Sequence, residues 1–98
     1  MAAYVIADVE VTDPAAYEGY RQAVGATIAA HGGRYLARGG ATDVVEGNWR
    51  PKRLVILEFP TLDRAREWYA STAYAPLLAL RGRAAVSNVV FTEGLPAA

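Results

Sequence analysis

The seam at Ala30-His31-Gly32-Gly33-Arg34 constrains the fold more than any other part of the chain. Upstream of it, residues recur three or four apart at Tyr17, Tyr20, Val24, Ile28 and His31, the spacing that lays one stripe of a helix against a core. Downstream, Arg34-Tyr35-Leu36-Ala37-Arg38 opens an alternating run of strand type. The two glycines between them supply the left-handed stop at which helices commonly end. A helix therefore finishes on its buried face at His31, and the chain re-enters a sheet with His31, Arg34 and Arg38 close together.

The same reading extends in both directions. From Ala3 to Val11 the residues alternate, with Val5, Ala7, Val9 and Val11 on one face and Tyr4, Ile6, Asp8 and Glu10 on the other. Asp13 offers a side-chain cap and Pro14 occupies the first helical position, where its missing N–H costs nothing. Gly19 and Gly25 fall inside the helix, each at a cost of about 1 kcal/mol relative to alanine, and close packing on a sheet would explain them. The second strand is expected from Arg34 to about Gly47, with a bulge or sharp bend at Gly39-Gly40. Asn48-Trp49-Arg50-Pro51 reads as a turn into a strand over Arg53 to Phe59. There Leu54, Val55, Ile56 and Leu57 are apolar on both faces, which implies a central strand with cover on each side.

Thr61 caps a second helix with Asp63 in its first turn and a buried stripe of Leu62, Ala65, Trp68 and Tyr69. Ser71-Thr72 restarts it as a shorter helix through Tyr74, Leu77 and Leu78 to Arg81. A final strand spans about Val86 to Glu93, and Leu95-Pro96-Ala97-Ala98 reads as a loose tail. The order β-α-β-β-α-β defines an α+β class, the ferredoxin-like arrangement, in a single domain over residues 1–98 with an ordered core over about 3–94. Right-handed crossovers place the helices on one face of a four-stranded antiparallel sheet. The uncovered face carries Ile6 and the outward residues of the central strand, so a homodimer packed face to face, a dimeric α+β barrel, is the expected assembly.

Composition narrows the partners. With 98 residues, 53% of them hydrophobic, the chain carries more apolar surface than one small core easily hides, which points to an oligomer or a lined pocket. Ten basic and ten acidic residues cancel, against nucleic acid or an anionic membrane as the main partner. No cysteine is present, which removes disulfides and thiolate catalysis and, with a single histidine among scattered acids, leaves no metal set. The N-terminus does not resemble a signal peptide and no apolar run of about 18 residues occurs, so a cytoplasmic location is expected. Gly32-Gly33 follows a helix and leads into a strand, the reverse of the order a dinucleotide fingerprint requires.

The succession Asp13-Pro14, Tyr17, Tyr20, His31-Gly32-Gly33, Arg38-Gly39-Gly40, Glu46-Gly47, Arg53, Glu58-Phe59-Pro60, Trp68-Tyr69, Ser71 and Tyr74 resembles the domain of unknown function 1330 family. The resemblance runs from about Ala3 to Gly94 and implies a dimeric α+β barrel, a fold shared with small cofactor-free monooxygenases, muconolactone-type isomerases and stress-responsive barrel proteins. It brings no established activity. Ser71-Thr72-Ala73-Tyr74 departs from the Ser-Pro-Glu-Tyr of that pattern, which removes one acid near the expected pocket.

Five residues stand out for chemistry, expected around one apolar pocket between sheet and helices. His31 has the side chain suited to proton transfer near neutrality, although a histidine at a helix C-terminus can equally serve the last carbonyls. Glu58, in the central strand, becomes a second candidate base if enclosed, or a salt-bridge partner if not; Asp8 poses the same choice. Arg34 and Arg38 fall on one face of the second strand, and Arg38 is the candidate clamp for a carboxylate or enolate. Tyr20 and Tyr74 would project hydroxyls into the pocket, while Tyr17 and Trp68 fit the core. The expected function is a cofactor-free enzyme, of proton-transfer, isomerase or monooxygenase type, on a small aromatic or enolisable anionic metabolite. A non-catalytic small-molecule binding or stress-related interaction protein is the alternative.

Overall fold

The computed structural model describes residues 1–96, so Ala97 and Ala98 of the expected tail lie outside the described residues. Its strands are β1 (Ala3–Val11), β2 (Arg34–Arg38), β3 (Leu54–Phe59) and β4 (Ala85–Glu93), and its helices are α1 (Pro14–Ala30), α2 (Leu62–Tyr69) and α3 (Ala75–Ala84). They form one antiparallel sheet in the order β2-β3-β1-β4, the ferredoxin-like arrangement with the second helical segment split in two. Along β1 the alternation seen in sequence is realised, with Ala3, Val5, Ala7 and Val9 buried under the helices. Cross-strand register carries that parity outward, pairing Val5 with Leu57 and Phe91, and Ala7 with Val55 and Val89.

Local chemistry fixes the helix ends. Asp13 accepts a hydrogen bond from the Ala16 N–H at 3.2 Å and Pro14 opens α1. At the other end His31 is the cap residue, and Gly32 takes φ +79°. The Gly32 N–H donates to the Ala29 carbonyl at 3.0 Å and the Gly33 N–H to Ile28 at 2.9 Å, the pair of bonds that satisfies orphan carbonyls at a left-handed stop. Ser71 joins α2 to α3: its hydroxyl donates to the Trp68 carbonyl at 2.7 Å and accepts from the Tyr74 N–H at 3.2 Å. The helical glycines are not the sheet contacts their position suggests. A Cβ on Gly19 would meet Leu80 of α3 at 3.6 Å, and one on Gly25 would meet nothing.

The second strand departs most from expectation. It ends at Arg38, because Gly39 turns the backbone at φ +68° and donates its N–H to the Leu54 carbonyl, closing the ladder where β3 begins. Residues 41–47, expected to continue the strand, run as exposed irregular chain. The irregularity in β2 lies earlier, at Leu36. Arg34 pairs with Glu58 and Tyr35 with Leu57, but Ala37 pairs with Ile56 and Arg38 with Val55, so Leu36 is an extra, bulged residue. The bulge reverses the parity: Arg34 lies with Glu58 on the uncovered face, and Arg38 with Val55 and Tyr35 on the helix side. The two arginines thus sit on opposite faces rather than one.

The long segment between β2 and β3 crosses back over the uncovered face. The Trp49 indole N–H donates to Asp8 Oδ2 at 2.9 Å and the Lys52 N–H to Asp8 Oδ1 at 2.8 Å. Asp8 therefore meets no arginine side chain and lies outside the space under the helices, in a groove of the uncovered face with Ile6, Trp49, Asn88 and Val90; the bonds it accepts, that from Trp49 first, hold its carboxyl below the usual carboxylate range. No described helix is long and apolar enough to cross a membrane.

Candidate functional site

The parity of the strands and the stripes of the helices converge on one partly open pocket. It lies between the covered sheet face and the helices, floored by Val5, Ala7 and Val9 of β1, and about 40 Å³ of it is open to the centre of a water molecule. That is room for about three waters. The walls are aromatic: Tyr20 packs on Tyr17 at 5.4 Å between centroids, and Tyr74 lies 4.3 Å from Trp68 and 5.7 Å from Tyr69. Trp68 is itself held by its indole N–H, which donates to Thr27 Oγ1 at 3.0 Å.

The polar groups are of two kinds. The Tyr20 and Tyr74 hydroxyls are buried and hydrogen-bonded to each other at 2.8 Å. Because one phenol must donate to the other, the pair keeps one O–H free to donate elsewhere. Burial pushes both phenols up, as it does Tyr35, so all three stay neutral at working pH. The other kind is arginine. Arg21, Arg38, Arg53 and Arg81 line the space, and no Asp or Glu does so among the described residues. A chain with no net charge has gathered four arginines around this pocket, of which, among the described residues, Arg21 alone is paired with a carboxylate, that of Glu18.

Of the residues singled out in sequence, Tyr20, Tyr74 and Arg38 line this space; His31 and Glu58 do not. Arg38 stretches from β2 to α1, its guanidinium 4.4 Å from the Tyr35 ring centroid and its Nη2 donating to the Arg21 carbonyl at 2.6 Å. It is exposed, and so forms part of the rim. His31 caps α1, where Nδ1 donates to the Thr27 carbonyl at 2.8 Å. A carbonyl only accepts, so Nδ1 carries a proton there. Glu58 points to the uncovered face by the alternation of β3 and takes both Nε and Nη2 of Arg34, at 2.9 and 2.8 Å. Trp49, from the turn that precedes β3, lies against Asp8 on that same uncovered face.

Sequence reasoning does not place Arg53 and Arg81 in the site, although signals for both are present. Arg53 has the inward parity of Val55, Leu57 and Phe59, and Arg81 falls seven residues after Tyr74 on the buried stripe of α3.

The fold defines a class, the ferredoxin-like α+β domains. A protein of unknown function from Rhodopseudomonas palustris superposes with a TM-score of 0.77 at 18% identity, over 98% of this chain and 84% of its own. SnoaB, a cofactor-independent oxygenase from Streptomyces nogalater, does so with a TM-score of 0.63 at 14% identity, over 98% and 94%. A Mycobacterium tuberculosis protein gives 0.60 at 22% identity, over 100% and 99%. At such identities the likeness shows the fold alone. Among curated proteins none matches the chain in sequence. The domain of unknown function 1330 family matches residues 2–95, and the protein belongs to that family.

Proposed function

We propose that the protein is a small cofactor-independent enzyme that binds an aromatic or enolisable metabolite in this cavity and stabilises its enolate. The observation that carries this reading is the donor set: a neutral phenol pair and several guanidiniums facing an apolar space that no carboxylate enters. Such donors favour the charge that develops on a carbonyl oxygen when a neighbouring carbon loses a proton. With His31 and Glu58 outside the cavity, the proton leaves to solvent at the open side of the pocket. Proton transfer completes an isomerisation. With dioxygen as oxidant, one methylene group and one dioxygen become one carbonyl and one water: the carbon gains an oxygen atom, and the other oxygen leaves with the two hydrogens. At about 40 Å³ the pocket is smaller than the about 300 Å³ or more of sites for small organic ligands, so a ring requires it to widen, and Arg38, exposed at the rim, is the lining side chain with room to move. The fold of SnoaB supports the oxygenase branch.

The test is hydrogen–deuterium exchange at the α-carbon of 2-tetralone and of phenylpyruvate, followed by NMR in heavy water, with oxygen uptake measured in parallel. The expected result is exchange about 10² faster than in buffer, in the range of acid–base catalysis, and slower in Tyr74→Phe. Exchange at the buffer rate with folded protein would leave the non-catalytic binding reading in its place.

The working unit we propose is a homodimer built on the uncovered sheet face. Ile6, Leu54, Ile56, Val86 and Val90 lie there by parity, and Val86 and Val90 are each more than half exposed in one chain. The adjoining loop offers Val45, 92% exposed. Covering such a patch with a second copy removes the apolar surface that a lone domain rarely leaves open. Sedimentation equilibrium is expected to give a dimer for the wild type and a shift to monomer for Val90→Glu; a monomeric wild type refutes the assembly.

A further inference from the structure

Arg81 is 8% exposed, the single charged residue in the buried set among the described residues, and its Nε has no hydrogen-bond partner. No described carboxylate lies within salt-bridge distance of it, since the ion pairs are those of Glu18, Glu58, Glu67 and Asp63 with other arginines. A guanidinium stays charged at any working pH, and enclosing it without a counter-charge is among the costliest things a fold can do. Arg53 repeats the pattern less completely: its Nε is also buried and unpartnered, and its guanidinium carbon lies 5.9 Å from the Tyr17 ring centroid. Both side chains line the same cavity.

We infer that Arg81, assisted by Arg53, is the receptor for the carboxylate of a small organic ligand, and that Arg38 at the rim is not. Arg38 already has its partners in the Arg21 carbonyl and the Tyr35 ring, whereas Arg81, which lines the cavity, has a buried Nε with no partner. A planar guanidinium offers a carboxylate two parallel N–H donors, and the surrounding rings favour an aromatic or short apolar body behind it. The space is suited to that end of a molecule: about 40 Å³ takes a carboxylate in place of two or three waters. The ligand class is thus an arylcarboxylic or 2-oxo carboxylic acid, oriented with its acid group inward.

This inference rests on the reading of the cavity as a ligand site, and its test uses binding rather than turnover. Benzoate, benzyl alcohol and inorganic phosphate are titrated calorimetrically into wild type, Arg81→Met and Arg81→Lys. Wild type is expected to prefer benzoate to benzyl alcohol, and Arg81→Met to bind benzoate at least tenfold more weakly, with benzyl alcohol unchanged. Arg81→Lys retains part of the benzoate affinity. Benzoate should also raise the wild-type Tm more than benzyl alcohol does, a readout independent of any variant's folding. Equal affinity of wild type for benzoate and benzyl alcohol, undiminished benzoate binding in folded Arg81→Met, or preference for phosphate over benzoate would overturn it. Arg81-dependent benzoate binding without catalysed exchange would leave this inference standing and remove the enzyme. Exchange catalysed equally by wild type and Arg81→Met, with no benzoate binding, would do the reverse.

Discussion

Trp68→Ala is expected to destabilise the fold by about 3–5 kcal/mol, the range for removing a large buried aromatic. Trp68 is 3% exposed and packs on Phe59 at 5.5 Å, Tyr69 at 6.0 Å and Tyr74 at 4.3 Å, so its loss leaves three rings facing a void. It also strips Thr27 Oγ1 of a donor. Against a total of roughly 5–15 kcal/mol for a domain, that is a large share. Urea denaturation checks it through the shift in midpoint. Trp68→Phe, which keeps a ring and loses the indole bond, is expected to cost about 1 kcal/mol. Equal losses in the two variants would show that the hydrogen bond, and not packing, holds Trp68.

Gly33→Val is expected to cost about 1–3 kcal/mol, as overpacking does. Backbone strain is not the cause, since Gly33 is not among the glycines with positive φ. A Cβ there would lie 2.6 Å from Phe59 Cε1 and 2.8 Å from Ile28 Cγ2, and Phe59 is fully buried with nowhere to retreat. The measurement is a double-mutant cycle with Phe59→Leu, which shortens the colliding side chain. Contacting residues couple by about 0.5–3 kcal/mol, so the double variant should be more stable than the sum of the single losses predicts. Additive losses would locate the strain elsewhere. Gly25→Ala, where an added Cβ meets nothing, serves as the contrast and should stabilise α1 by about 0.5–1 kcal/mol.

Where burial alone decided conformation, the sequence was a sufficient guide. Val5, Ala7 and Val9 announce β1 by period two, and Asp13-Pro14 and Gly32-Gly33 bracket α1 with side-chain and backbone chemistry that acts within a few residues. The second strand resisted reading because a bulge has no local signature in Arg34-Tyr35-Leu36-Ala37-Arg38; it is defined by the partner strand β3, far along the chain. The same non-locality hid the true surroundings of the candidate bases. His31 continues the helical stripe yet sits one step past the last turn, where its ring folds back to Thr27. Glu58 follows the parity of β3 to the side without helices and finds Arg34 there. Arg81 is hard to read for a different reason: charge at a helix end reads as solvated, and only its phase with Tyr74 and Leu78 shows otherwise.

The extra residue at Leu36 has a wider consequence. In an unbroken strand, what points up and what points down are locked together, so a change in one surface drags the other with it. One residue of slack uncouples the two halves of this strand. Arg34 can serve the outer surface while Arg38 serves the rim of the pocket on the other side, and because β2 is an edge, no further neighbour has to follow.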